Sequence, residues 1–296
     1  MLVNDRMIVL RLRKCATTQV AATVKLVVGG TFRKSLELTG DRPTSHGRLD
    51  IPLHGRRVLG TVRDPWSWYV SLWAYGCMGR GGLHQRVTRT RSRRAAAGSV
   101  VRRLAGRGRK PPNANAQGQT ASSRGGSADP RGWAELYADV DDPGRFRAWL
   151  RRVLDPAEAG LVEPGYGAGT LTEVIGLLSW RYLALFSRDA DPLMRPGELV
   201  SIDDLVTFDA AQNVCDDLLR TDRITTEMPG VLARAGYDLD DDQRARLAEL
   251  TADAARRNTS SHRAWTDYHD AATVDLVSAR DQLVISRHGY TRPIVD

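Results

Sequence analysis

The chain has 296 residues, 42% of them hydrophobic, and a formal net charge of +8; that is enough apolar material for one large α/β domain and excludes a chain that needs staples to fold. The three cysteines, Cys15, Cys77 and Cys215, have neither metal-ligand spacing nor an even-numbered framework, which excludes a zinc module and a disulfide scaffold and points to a reducing, cytoplasmic setting. No run approaches the roughly 20 apolar residues of a bilayer span, and Asn4, Asp5 and Arg6 stand where a signal peptide needs its apolar stretch, so neither export nor anchoring is expected.

The first element in chain order is the run Met7-Ile8-Val9-Leu10, continued by Leu12, which reads as a short buried strand; Arg13 to Thr18 is the turn at its end. Val20, Val24, Val27 and Val28 then fall on one helical face, with Thr17 or Thr18 as N-cap and Gly29-Gly30 as the stop. A second strand, Val58 to Val62, ends at Arg63, and Asp64-Pro65 opens a second helix as N-cap and first-turn proline. That helix puts Trp66, Tyr69, Val70 and Trp73 on one face and Ser67 and Ser71 on another.

The stretch 84–131 is rich in Arg, Gly and Ser and reads as a basic, disordered insertion. It holds twelve basic residues and one acid, Asp129, more than the whole chain's net charge, so the remainder is net acidic. Beyond it, periodic segments near 133–154, 170–187, 210–235 and 242–257 predict helices, with one short strand near 199–202. Strands alternating with helices predict a single α/β domain over 1–296, a three-layer sandwich with a central parallel sheet and a helix-rich C-terminal half.

A turn between a parallel strand and a helix N-terminus presents free N–H groups and the positive dipole end, which suits a phosphate; Lys14 adds a charge and Thr17 and Thr18 add hydroxyls. The GxxxxGK[ST] pattern of ATP-binding loops is absent, since no glycine precedes Lys14 and the lysine comes before the turn. Arg13-Lys14-Cys15-Ala16-Thr17-Thr18 instead resembles the 5′-phosphosulfate loop of sulfotransferases that use 3′-phosphoadenosine 5′-phosphosulfate (PAPS), a Pro-Lys-x-Gly-Thr-[Thr/Ser] core after the first strand in a P-loop-like fold. Arg13 stands where proline is usual and Ala16 where glycine is usual; an alanine forced to positive φ would strain the loop.

Val62-Arg63-Asp64-Pro65, followed by Ser71, looks like the family's 3′-phosphate element: a guanidinium fork at a strand end and a hydroxyl two turns along the helix. Arg256-Arg257-Asn258-Thr259-Ser260 and the closing His288-Gly289-Tyr290 are similar to the tail of the carbohydrate-type branch, in which a basic-Asn-x-[Ser/Thr] stretch borders the nucleotide. The resemblance implies a sulfotransferase moving a sulfuryl group from PAPS to a hydroxyl acceptor, a saccharide, glycolipid or secondary metabolite, with PAP as product and no metal. It implies nucleotide contacts from Arg13 to Thr18 and from Arg63, Ser71, Arg257, Asn258 and Ser260, with Arg256 an alternative to Arg257. Lys14 would neutralise the leaving oxygen, and a histidine would serve as general base. In the resembled branch the base stands between the first helix and the second strand, which implies His46, with His54 the alternative.

Two other readings compete. A P-loop-like nucleotide kinase would need Mg²⁺ and an acid at a strand end. A nucleic-acid-associated protein would use the arginine-rich 84–131 stretch; nucleic acid is disfavoured because the stretch has no aromatic residue to stack bases, and only four of the chain's 43 basic residues are lysine, so arginine richness is a general bias.

Overall fold

The computed structural model describes residues 2–29, 33–34, 55–89, 129–257 and 262–295, and within these it describes no side chains at 17–19, 33–34 and 251–257. Its architecture is α/β and mostly helical. Five strands, β1 (Leu2–Val3), β2 (Met7–Val9), β3 (Arg33–Lys34), β4 (Arg57–Val62) and β5 (Asp217–Arg220), form one sheet in the order β3-β1-β2-β4-β5. β2, β4 and β5 run parallel, with Ile8 opposite Val58 and Gly60 opposite Leu218, whereas β1 is antiparallel to both β2 and β3. The sheet is therefore mixed, which corrects the expected all-parallel one. The reason is local: Asn4 Oδ1 accepts from the Arg6 and Met7 amides at 3.0 and 2.7 Å, folding the first residues back as a hairpin along the edge.

The pleat sends successive residues to opposite faces. Met7, Val9, Leu59 and Leu219 join one apolar cluster with Val20, Val24 and Val27 of α1 (Thr17–Val28). Ile8, Val58 and Val62 join the other, larger cluster, built around α2 (Pro65–Cys77). Gly60 has no side chain because Phe186 and Leu218 occupy the space: a Cβ there would sit 2.9 and 2.7 Å from them.

Asp64 caps α2 as its sequence indicates, accepting from the Ser67 amide at 2.8 Å with Pro65 in the first turn. The expected division of α2 into an apolar and a polar face does not hold, because Pro65 through Ala74 are all buried, Ser67 and Ser71 included. Trp66, Trp68, Tyr69 and Trp73 are each at most 1% exposed, and burial of rings this size fixes the helix at about 3–5 kcal/mol per aromatic removed. Asp281, fully buried, accepts from Tyr69 Oη at 2.7 Å and the Ser179 amide at 2.8 Å. These bonds oppose the rise that burial imposes on its carboxyl.

α3 (Gly82–Thr88) and α4 (Pro130–Leu136) take up the two ends of the 84–131 segment, so its edges are helical; 90–128 lies outside the described residues. The segment expected as one helix over 133–154 divides into α4 and α5 (Pro143–Val153), because Asp142 caps a new helix with Pro143 in its first turn. After α6 (Ala159–Val162), the expected 170–187 helix narrows to a 3-10 turn and α7 (Leu177–Phe186). The expected strand near 199–202 is absent: Ser201 and Asp204 form a reciprocal capping box that starts α8 (Ile202–Gln212). The expected 210–235 helix contains β5 and then α9 (Ile224–Arg234), and α10 (Asp241–Arg257) follows. α11 (Ala271–Arg280) and α12 (Gln282–His288) end the fold, with Gly289 at φ 63° as the left-handed cap. Among the described residues no helix is long and apolar enough to cross a membrane.

His269, 2% exposed, lies with Nε2 3.2 Å from the Trp66 carbonyl. Burial holds its imidazole down at about 4 from an ordinary 6.5, against upward pulls from that carbonyl and Asp270. The folded-state value is the depressed one, so as pH falls below 6.5 the unfolded chain protonates first and stability drops until about pH 4. Denaturant midpoints measured across this window are expected to lose about 1.4 kcal/mol per pH unit from this site. His269→Gln is expected to remove one proton's share of that slope.

Candidate functional site at the ends of the parallel strands

β2 and β4 are neighbours whose following helices pack on opposite faces, α1 with one apolar cluster and α2 with the other. Two chains that leave adjacent strand ends in opposite directions open a crevice between them, the usual place for a ligand in an open α/β sheet. The residues at this crevice are the 13–16 turn after β2 and Arg63-Asp64 after β4.

The turn is tied down by its carbonyls. Trp68 Nε1 donates to the Arg13 carbonyl at 2.9 Å, Thr61 Oγ1 to the Cys15 carbonyl at 2.6 Å, and Arg63 Nη1 lies 3.5 Å from the Lys14 carbonyl, at the long limit of a hydrogen bond. Lys14 and Ala16 both take left-handed backbone, at φ 66° and 52°, the only non-glycine residues among those described to do so. Ala16, where glycine is usual in the resembled loop, pays the strain anticipated from its Cβ, roughly 1–2 kcal/mol. It also stands as the N-cap of α1, which corrects the assignment of that position to Thr17 or Thr18; Thr17 is the first helical residue. Among the described side chains none caps this N-terminus.

Lys14 Nζ rests 4.3 Å from the centre of the Tyr75 ring. Burial, and after it the Arg63 charge, holds its ammonium below the usual lysine range. The Arg13 guanidinium turns away from the crevice toward Gly82. Cys15 is fully buried in the core, where burial pushes its thiol up to about 12, so it supplies no nucleophile, and its amide donates to the Leu12 carbonyl at 3.3 Å. Backbone alone is described at Thr17 and Thr18.

Arg63 Nε donates to Ser67 Oγ at 2.7 Å, and Ser67 in turn bonds Asp64. The hydroxyl that meets Arg63 is thus Ser67, which sequence reasoning left without a role although its place four residues on was the available signal. Ser71 lies one turn further along α2, 2% exposed. His46, His54, Asn258 and Ser260 lie outside the described residues, and the side chain of Arg257 is not described.

The closing His288-Gly289-Tyr290 motif reaches the same end of the sheet. Arg220, the last residue of β5, donates through Nη1 to the His288 and Gly289 carbonyls at 2.9 and 3.1 Å, and its guanidinium lies 4.2 Å from the centre of the Tyr290 ring. Burial raises the Tyr290 phenol far above its ordinary value, with the carboxylates of Asp222 and Asp64 adding to the rise. Tyr290 Oη has no hydrogen-bond partner among the described residues. Sequence reasoning missed Arg220 because β5 was read as helix. Arg220 is also paired with Asp222, at 3.1 and 2.7 Å, so Lys14 and Arg63 are the cations left beside the start of α1, an arrangement suited to an anionic ligand. Among the described residues no group of three or more His, Cys, Asp or Glu is placed to hold a metal ion. Comparisons of the chain with protein-family models, curated proteins and solved structures found no match.

Thr61→Val leaves the buried Cys15 carbonyl without its donor and is expected to cost about 1–3 kcal/mol. Ala16→Gly relieves the left-handed strain but loosens the unfolded chain by about 0.4–1 kcal/mol, so its net effect is expected within about 1 kcal/mol of zero. Chemical denaturation of the two variants beside the parent chain checks both.

Proposed function

We propose that the chain is a PAPS-dependent sulfotransferase that transfers a sulfuryl group to a hydroxyl acceptor, and that its mixed sheet with helices on both faces is a P-loop-like three-layer sandwich. One observation carries this reading: the Arg13–Thr18 turn and Arg63, which resemble the family's two phosphate elements, lie on neighbouring strand ends at one crevice, with Arg63 Nη1 3.5 Å from the Lys14 carbonyl. Chance likenesses 45 or more residues apart have no reason to meet.

In this reading the α1 amides and Lys14 hold the 5′-phosphosulfate, and Arg63 with the α2 serines holds the 3′-phosphate. Sulfuryl transfer, like phosphoryl transfer, is a loose in-line displacement in which position and charge do most of the work. Lys14 would face the bridging oxygen that departs with PAP, and a low-lying ammonium pKa would let it give a stronger hydrogen bond to that oxygen as negative charge builds there. His46 removes the acceptor's proton, with His54 as the alternative base. Arg257, Asn258 and Ser260 border the nucleotide, and Tyr290, whose hydroxyl has no partner among the described residues, closes the far side. The three cysteines are free thiols, which supports a reducing, cytoplasmic setting.

The kinase reading needs an acid at a strand end to hold Mg²⁺, and the acid at the end of β4, Asp64, is committed to the Ser67 amide and hydroxyl as the cap of α2.

Thermal-shift titration with PAP, PAPS, ATP and GTP, with and without Mg²⁺, is expected to show stabilisation by PAP and PAPS that does not depend on the metal; stabilisation only by ATP or GTP with Mg²⁺ would instead favour the kinase. Arg63→Gln is expected to weaken PAP binding about tenfold or more. Lys14→Ala is expected to slow turnover about 100-fold while PAP affinity changes far less.

A further inference from the structure

A second cluster of guanidinium groups lies beside the turn, outside the crevice. Glu163 Oε2 accepts from Arg181 Nε at 2.8 Å and from Arg181 Nη2, and Arg86 Nη2 lies 3.5 Å from the same oxygen. Arg86 is anchored by two bonds to the Val162 carbonyl, at 3.1 and 2.6 Å. Arg13 arrives from the turn: a Cβ on Gly82 would lie 3.3 Å from Arg86 Nη1 and 3.6 Å from Arg13 Nη1, so both guanidinium groups reach the same spot. Arg181 is 9% exposed, lies 5.6 Å from the centre of the Trp68 ring, and keeps a buried Nη1 with no hydrogen-bond partner among the described residues.

Arg86 and Arg181 share the Glu163 carboxylate, and the Arg13 guanidinium lies beside them. Burial and then the Arg181 charge lower the Arg13 pKa; at Arg86 burial leads again, and Arg181 and Arg13 oppose the pull of Glu163. Holding surplus like charge half-buried costs free energy that an anion would recover, and a buried Nη1 without a partner marks where a further acceptor oxygen is missing. The cluster is also next to Lys14: the Tyr75 ring that carries Lys14 Nζ lies 3.1 Å from where a Cβ on Gly81 would sit, and Gly82 is the following residue.

We propose that Arg13, Arg86 and Arg181 form a subsite for an anionic group, a sulfate, phosphate or carboxylate, carried by the acceptor and held beside Lys14. Guanidinium forks grip such oxyanions in pairs of hydrogen bonds, and Glu163 sets the orientation of two of them while limiting the excess charge. Assigning the anion to the acceptor rests on the sulfuryl-transfer reading; the subsite itself does not.

The test is calorimetric titration of inorganic sulfate into the full chain, with PAP at saturation, for the parent protein, Arg86→Gln and Glu163→Gln. Arg86 is half-buried at the end of α3, so its loss leaves the Arg181–Glu163 pair intact. Sulfate affinity is expected to fall about tenfold in Arg86→Gln, the loss of one charge-assisted contact. In Glu163→Gln it is expected to rise, because a competing carboxylate is gone. Equal affinity in all three proteins would overturn the subsite and leave the nucleotide reading untouched. Competition between sulfate and PAP would overturn its assignment to the acceptor. If PAP does not bind, the same order of sulfate affinities measured without it retires the donor reading and keeps the subsite.

Discussion

The hydrogen bonds from Thr61 and Trp68 to the carbonyls of Cys15 and Arg13, with Arg63 near the carbonyl between them, are the constraint on which the site depends. Carbonyls bonded back into the protein fix the course of the turn, in which the Cys15 amide donates to the Leu12 carbonyl and Lys14 and Ala16 adopt left-handed backbone. The donors are themselves fixed: Thr61 belongs to a central strand, and Trp68 belongs to a helix buried from Pro65 through Ala74. A strained loop persists where its surroundings over-determine it, and here the second strand–helix unit does so for the first.

The same second unit divides the charges around the turn. On one side Arg63 is held by Ser67, and Ser67 by Asp64, so the guanidinium stays at the strand end. On the other side Arg13 leaves the crevice for Arg86, Arg181 and Glu163, with Trp68 between the two because its indole bonds the Arg13 carbonyl while its face lies under Arg181. Lys14 sits between these groups on the Tyr75 ring. In the sulfuryl-transfer reading proposed above, cations on both sides of one lysine would serve two separate anionic groups, one on each reactant.

Much of this was legible in the chain itself. The first strand, the turn at its end and the Asp64-Pro65 start of α2 follow from local rules of capping and apolar runs, and each stands where those rules put it. β5 was not legible, because Asp217-Leu218-Leu219-Arg220 is too short to show a period and its neighbours on both sides are helical. Missing β5 hid Arg220, and with it the way His288-Gly289-Tyr290 is drawn to the sheet. The antiparallel edge was hidden for a similar reason, since β1 and β3 have two residues each and exist through pairing alone.

What the sequence by itself determined is the loop: a lysine and a helix start directly after a buried strand, an alanine where the backbone would prefer glycine, and an arginine at the end of the next strand. These are local facts, set by residue type and spacing over a few positions. Which partners those residues meet was decided only by tertiary structure. The arrival of Ser67 at Arg63 depends on how the buried α2 is rotated, and the turn of Arg13 toward Arg86, Arg181 and Glu163 depends on α3 and α7 packing beside the loop. Side chains far apart in sequence have no local rule to pair them; the core places them, because close-packed aromatic rings leave each helix only one orientation.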